Sequence, residues 1–142
     1  MIRNDISTIL EKYNEYLLHI RNFSNKTIIS YMNNLKMFLM FIQNYKHINQ
    51  INLDELINVK ESDIYSFLIY LNMYRNNLAR SRQKKITVLK CFYEWLFACN
   101  YERCKNIKNP TENISITLEQ YKEAKCLTLR EVKKITNIFT LT

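Results

Sequence analysis

The chain contains no glycine, and its 142 residues include a single proline, Pro110. Phosphate-binding loops and dinucleotide fingerprints need turns built on a residue without a Cβ, so both are excluded. Two-residue hairpin turns also favour glycine, which makes a hairpin-rich β fold a poor fit. Long helices are what remains. Histidine is scarce as well: His19 and His47 have no His, Cys or carboxylate companion at ligand spacing and read as surface residues. The four cysteines, Cys91, Cys99, Cys104 and Cys126, stand eight, five and twenty-two residues apart, without the close pairs of a zinc site. Cys91 and Cys99 read as helix-packing residues, and neither a metal nor another cofactor is expected. No stretch approaches the roughly 20 apolar residues that span a bilayer. The opening residues, MIRNDISTILEKY, carry early charges of both signs and no compact apolar run, unlike a signal peptide. The expectation is a cytoplasmic protein with no membrane partner.

What the chain has in excess is positive charge. Lys and Arg number 21 against 13 Asp and Glu, a formal net charge of +8, which favours a polyanionic partner and nucleic acid first. A hydrophobic content of 47% and an aromatic content of 13% are enough for one domain with a real core, and they argue against disorder.

The apolar residues recur at helical spacing. A first helix is predicted from Asp5 to Arg21, with Asn4 or Asp5 as cap and Ile6, Ile9, Leu10, Tyr13, Leu17 and Ile20 as its stripe. Ser24 can cap a second helix reaching Asn44, with Ile28, Tyr31, Leu35, Phe38, Leu39 and Ile42 inward. Further apolar residues on its other sides, Met37 and Met40 among them, read as gap-filling core. A short turn is expected around Leu53–Ile57. A third helix begins near Ser62 or Asp63 and carries Ile64, Phe67, Leu68, Leu71 and Tyr74.

The stretch from Leu78 to Phe97 organises the rest. Ile86, Leu89, Phe92, Tyr93, Leu96 and Phe97 fall on one side of a fourth helix, while Arg80, Lys84, Thr87 and Cys91 fall on roughly the opposite side, bordered by Gln83 and Lys90. Ser81 is the expected N-cap. Cations at the positive end of a helix dipole disfavour the helix, so an external anion such as a nucleic-acid phosphate is a reasonable explanation. Asn25, Lys26 and Thr27 repeat that chemistry at the second helix. The chain then passes Asn109-Pro110, where no helix can continue. Beyond it a weakly periodic linker leads to Leu127-Thr128-Leu129-Arg130-Glu131-Val132, a capping-box start of a new helix.

Four of these segments, in order, resemble the N-terminal core-binding (SAM-like) domain of the tyrosine recombinases, or phage-type integrases. Phe23-Ser24-Asn25-Lys26-Thr27-Ile28-Ile29-Ser30-Tyr31 is similar to the "hydrophobic-Ser-x-x-Thr-x-x-x-Tyr" opening of that domain's second helix. Ala79-Arg80-Ser81 through Lys84 to Leu96 resembles its fourth helix, and Asn109-Pro110 the dipeptide after that helix. Leu127 to Val132 looks like the "Leu-Thr-x-x-Glu-hydrophobic" start of the catalytic domain. The resemblance implies an all-α, compact four- to five-helix bundle at residues 1–112, an interdomain linker at 113–126, and at 127–142 a short terminal helix that opens a catalytic domain cut short. Such a domain is half of a clamp around double-stranded DNA. By position, Lys26, Thr27 and Tyr31 of the second helix and Ser81, Lys84, Thr87 and Lys90 of the fourth would bind DNA. Charge and position add Arg80 and Arg82, and Tyr31 has a competing place in the core.

The family's catalytic set (two arginines, a lysine, histidines and a nucleophilic tyrosine) belongs to its C-terminal domain, and no match to it stands in this sequence. No residue is therefore assigned a catalytic role, and the chain is not expected to be an enzyme. It reads as an excised domain or a natural truncation of a site-specific recombinase that exchanges strands through a covalent phosphotyrosine. The isolated domain is expected to be monomeric and its parent to oligomerise on DNA. Two competing readings are a helical protein-interaction module with a solvated basic face, and a helix-turn-helix regulator. The second fits poorly, because a whole helix separates the two basic ones.

Overall fold

The computed structural model describes residues 5–74 and 79–114. Among them the only β pairing is one isolated antiparallel bridge, between Asp5 and Asn52, and the regular elements are helical. The all-α expectation holds. The expected linker at 113–126 and terminal helix at 127–142 fall, from residue 115 onward, outside the described residues, as do the side chains of Tyr74 and Arg80.

Helix α1 spans Ile6–Glu15, and the Asp5 carboxylate caps it by accepting the Thr8 N–H at 2.9 Å. From Tyr16 to Ile20 the helix widens into a π-helical turn. That turn changes one prediction. Leu17 is buried as its place in the stripe requires, but Ile20 is 69% exposed, because a π turn takes extra residue length and rotates the residues after it out of phase. Asn22 then adopts a left-handed φ of 54°, a conformation asparagine tolerates better than most residues. The Phe23 N–H closes back on the Leu17 carbonyl at 3.0 Å, in the manner of a Schellman cap.

Helix α2, Asn25–Tyr45, begins where the sequence places it, with the Ser24 hydroxyl accepting the Thr27 N–H at 3.2 Å. Ile28, Leu35, Phe38, Leu39 and Ile42 are buried, and Tyr31 is half-buried against the core. The methionines divide. Met32 and Met37 pack against the core, whereas Met40 is 64% exposed and fills no gap. Helix α3, Leu53–Ile57, is held at its start by the Glu55 carboxylate, which accepts the Asn52 N–H at 2.9 Å. Helix α4, Glu61–Tyr74, starts slightly earlier than the periodicity suggests. The Asp63 carboxylate accepts the Lys60 N–H at 2.9 Å and pairs with Lys46 at 2.9 Å, tying the start of α4 to the end of α2.

Helix α5 spans Ala79–Cys99 and is followed by the short α6, Tyr101–Cys104. Of the two cysteines expected to pack, Cys91 lies half-buried against the core and Cys99 is exposed, while Cys104 of α6 is buried. Helix α2 packs against both α4 and α5. Two aromatic clusters fill the core. In one, Tyr13 of α1 meets Phe92 edge-on at 5.1 Å and Trp95 at 5.0 Å. In the other, Phe67 of α4 meets Phe38 at 5.2 Å and Phe41 at 5.3 Å. The tail beyond α6 stays with the bundle: Thr111 and Ile114 are buried, Arg103 pairs with Asp54, and Lys108 reaches Glu61 at 3.3 Å.

Inside this core the Tyr93 hydroxyl donates to the Leu56 carbonyl at 2.9 Å. Replacing Tyr93→Phe removes one of the hydrogen bonds that the Leu56 carbonyl accepts, another coming from the Val59 N–H, and should cost about 0.5–1.5 kcal/mol in urea unfolding. The bond also carries a pH signature. Burial, and secondarily the Asp63 charge, raise the Tyr93 pKa above its ordinary 10.0. The folded pKa exceeds the unfolded one, so this stabilisation is complete below pH 10 and is lost as pH rises above it, by up to about 1.4 kcal/mol per pH unit. Urea midpoints compared at neutral and strongly alkaline pH should converge more in Tyr93→Phe than in the wild type.

Candidate nucleic-acid interface

The two basic segments singled out in the sequence sit at the starts of α2 and α5. Neither helix has an acidic residue in its first turn, whereas α3, α4 and α6 each have at least one. On α2, Lys26 is exposed and Thr27 half-exposed. The Ser24 hydroxyl donates to Thr27 Oγ1 at 3.0 Å, which leaves the Thr27 hydrogen available to an outside acceptor such as a phosphate oxygen. Tyr31 stands one helical turn further along. Its ring packs edge-on against Phe23 at 5.2 Å, and burial, with the Cys91 thiol adding, raises its pKa. That position combines core packing with a partly open edge.

On α5 the expected stripe is only partly realised. Lys84 and Thr87 are exposed and share a face with Cys91 at spacings of three and four residues. The Thr87 hydroxyl donates to the Gln83 carbonyl at 3.1 Å, so outward it offers lone pairs and a methyl group rather than a proton. Lys90 is half-buried and lines an open groove with Glu94, Phe97 and Lys108, to one side of the Lys84–Thr87 line. Ser81 lies inside the first turn of α5 instead of capping it, because the helix already begins at Ala79. Its hydroxyl accepts from Lys85 Nζ at 3.3 Å.

Arg82 departs most from expectation. It is 5% exposed, and Lys85 beside it is 7% exposed. Both extend the buried line of Ile86 and Leu89 backward at helical spacing, so they point to the protein side of α5 rather than outward. A basic run on a helix does not keep all its charges on one face.

The entry to α2 meets α5 in mid-helix. Beyond the packing of α2 on α5, the Arg21 guanidinium donates to Cys91 Sγ at 3.6 Å and lies 5.0 Å from the centre of the Phe23 ring. Phe23 in turn carries Tyr31, so Arg21, Phe23, Tyr31 and Cys91 form the seam between the start of α2 and the outer face of α5. Sequence reasoning missed Arg21. Its local signal was slight, a lone cation two residues before the aromatic that opens the second helix. Among the described residues no group of three or more His, Cys, Asp or Glu is arranged to hold a metal ion, and no helix is long and apolar enough to cross a membrane.

Residues 10–100 match the family model described as phage integrase, N-terminal SAM-like domain. The chain is 28% identical to the tyrosine recombinase XerC of Caldanaerobacter subterraneus subsp. tengcongensis, over 91% of this chain and 39% of that protein. It is 32% identical to XerC of Rickettsia typhi over 68% of this chain and 31% of the relative. A tyrosine recombinase of Pseudothermotoga lettingae is 31% identical over 75% of this chain and 34% of its own length. The chain thus spans between 31% and 39% of these relatives. No solved structure matches it.

Burial separates the cations of α5 into two kinds, which stability measurements will tell apart. Lys84→Ala should change the unfolding free energy by no more than about 0.5 kcal/mol, and Arg82→Ala should destabilise by about 1–3 kcal/mol. Equal and negligible effects would return Arg82 to the surface.

Proposed function

The chain belongs to the phage integrase N-terminal SAM-like domain family, and from that premise we propose that it grips one side of double-stranded DNA for a site-specific tyrosine recombinase. The observation that carries this reading is the seam: Arg21 and Phe23 bring the start of α2 and the outer face of α5 to one side of the bundle. Two packed helices whose first turns carry cations and no acids give a surface suited to phosphates.

Within this reading the side chains divide by chemistry. Lys26, Lys84 and Lys90 are ammonium donors, and Thr27 contributes a hydroxyl donor. Such groups hold the backbone and set the register of the protein on the duplex without reading sequence. Gln83 and Thr87, exposed on the same helix, suit base edges in the major groove, Thr87 through its lone pairs and methyl group. Arg80 stands in the first turn of α5, beside the same surface in sequence. Tyr31 supports the surface from beneath more than it touches DNA. Ser81 and Arg82 are assigned to holding the first turn of α5, Ser81 through its bond with Lys85 and Arg82 through its burial.

The reaction is assigned to the parent recombinase: strand exchange through a covalent phosphotyrosine, carried out by a catalytic domain other than this bundle. The role of this chain is to close the clamp. A cytoplasmic location follows from a DNA partner. The domain is monomeric by itself and comes together with its neighbours on DNA.

Fluorescence anisotropy of a labelled duplex, titrated over a range of salt, tests the proposal. Affinity should fall steeply with salt, with a log–log slope of roughly four to eight if that many phosphates are neutralised. Lys84→Ala combined with Lys90→Ala should weaken binding and flatten the slope by about two. Absence of binding at low salt would instead make the basic face a solvated one, on a module that contacts protein.

A further inference from the structure

Arg21 lies in none of the segments that carry the family resemblance, yet it is an exposed cation that the fold holds from several sides. It comes directly after the π-helical turn, and its own N–H closes that turn on the Tyr16 carbonyl at 3.0 Å. The left-handed Asn22 and the Phe23-to-Leu17 closure then fix the direction of the chain on its other side. Three groups from three segments meet its side chain. The Phe23 ring lies beneath the guanidinium, Cys91 of α5 accepts one of its hydrogens at 3.6 Å, and the Tyr16 side chain hydrogen-bonds it.

None of these three groups is an anion. Lys46, Arg103, Lys105 and Lys108 are each paired with a carboxylate, but Arg21 has no carboxylate partner among the described residues. Its charge is therefore oriented without being neutralised. An exposed arginine normally loses considerable rotamer freedom when it binds, and this one has given up part of that freedom in the fold. A planar guanidinium stacked on a ring also keeps hydrogens at its edge for a bidentate acceptor, which an ammonium group in the same place lacks. The side chain sits over the seam between the entry to α2 and the middle of α5, so an acceptor bound there lies against both.

We propose that Arg21 is a DNA-phosphate-binding residue, preorganised by Phe23, Tyr16 and Cys91, that bridges the α2 and α5 contributions to the interface. The inference rests on the DNA-binding reading above and adds to it a cation held between the residue that leads into α2 and the outer face of α5.

The experiment is the salt titration of a labelled duplex with wild type, Arg21→Gln and Arg21→Lys, each checked by thermal melting. Glutamine keeps a donor for Cys91 and Tyr16 without the charge, so the fold should survive. Arg21→Gln should bind about eightfold more weakly at 0.1 M salt, with a slope smaller by about 0.9, the signature of one lost phosphate contact. Arg21→Lys should keep the wild-type slope and lose about two- to threefold in affinity, since it retains the charge but not the fork or the stacking. An Arg21→Gln protein that melts and binds like the wild type, with the same slope, overturns the inference and leaves the DNA-binding reading standing. Salt-independent or absent binding by the wild type itself overturns both.

Discussion

The hydrogen bond from Tyr93 to the Leu56 carbonyl fixes how α5 is rotated about its own axis, and the candidate interface depends on that rotation. A hydroxyl buried this deeply tolerates little rotation, because leaving donor and acceptor unpaired in a dry core costs more than the bond itself contributes. Lys84 precedes Tyr93 by nine residues, about two and a half turns, and so faces the opposite way. Phe92 and Leu96 hold the same orientation through packing, with Tyr13 wedged edge-on against Phe92 from α1. The outward direction of Lys84 and Thr87 is thus a consequence of what the other side of the helix buries.

The second constraint is the exit from α1. A regular α-helix continued to Arg21 would keep Ile20 inward and carry the chain onward along the same axis. The π-helical turn and the left-handed Asn22 end it instead, with the next residues folded back over the bundle. Phe23 then rests against Tyr31 and beneath Arg21. The departure from regular helix costs Ile20 its burial. In exchange a loop residue is held against a helix that lies far away in sequence. Local irregularity and the assembly of the seam are the same event.

Much of this was legible in the sequence, for a definite reason. Residues repeating at 3.6-residue spacing must share a face whatever the tertiary context, so Leu35, Phe38 and Ile42 of α2, Ile64, Phe67 and Leu71 of α4, and Ile86, Leu89 and Phe92 of α5 were found in the core as predicted. Ser24 and Asp5 capped their helices because a cap is a contact between near neighbours. What escaped depended on something other than period. Ile20 was displaced by a change of helix type that no residue in the turn announces. Cys99, at the last position of α5, turned out exposed, and the burial of Cys104 falls in a four-residue helix too short for a periodic signal. Arg82 obeys the same spacing as the core residues after it, as Lys85 does, but its charge argued for the opposite face. Arg21 makes its defining contact with Cys91, seventy residues away, and no window of sequence contains both.

The burial of Arg82 and Lys85 also changes what the net charge means. A formal +8 describes the whole chain, whereas a polyanion responds to the charges within a Debye length of its own phosphates, about 10 Å at 0.1 M salt. Lys46, Arg103, Lys105 and Lys108 are matched by carboxylates around α3, α4 and α6, and Arg82 and Lys85 lie beneath the surface. What is left among the described residues is Lys12, Lys36 and Lys60 elsewhere on the bundle, and Arg21, Lys26, Lys84 and the half-buried Lys90 on its α2–α5 side. The charge that composition reports as a property of the molecule is thus divided in the fold among paired, buried and exposed cations, and only the exposed ones are open to a partner. A polyanion approaching the α2–α5 side would therefore meet cations that are neither paired with a carboxylate nor buried, whatever the total charge of the chain.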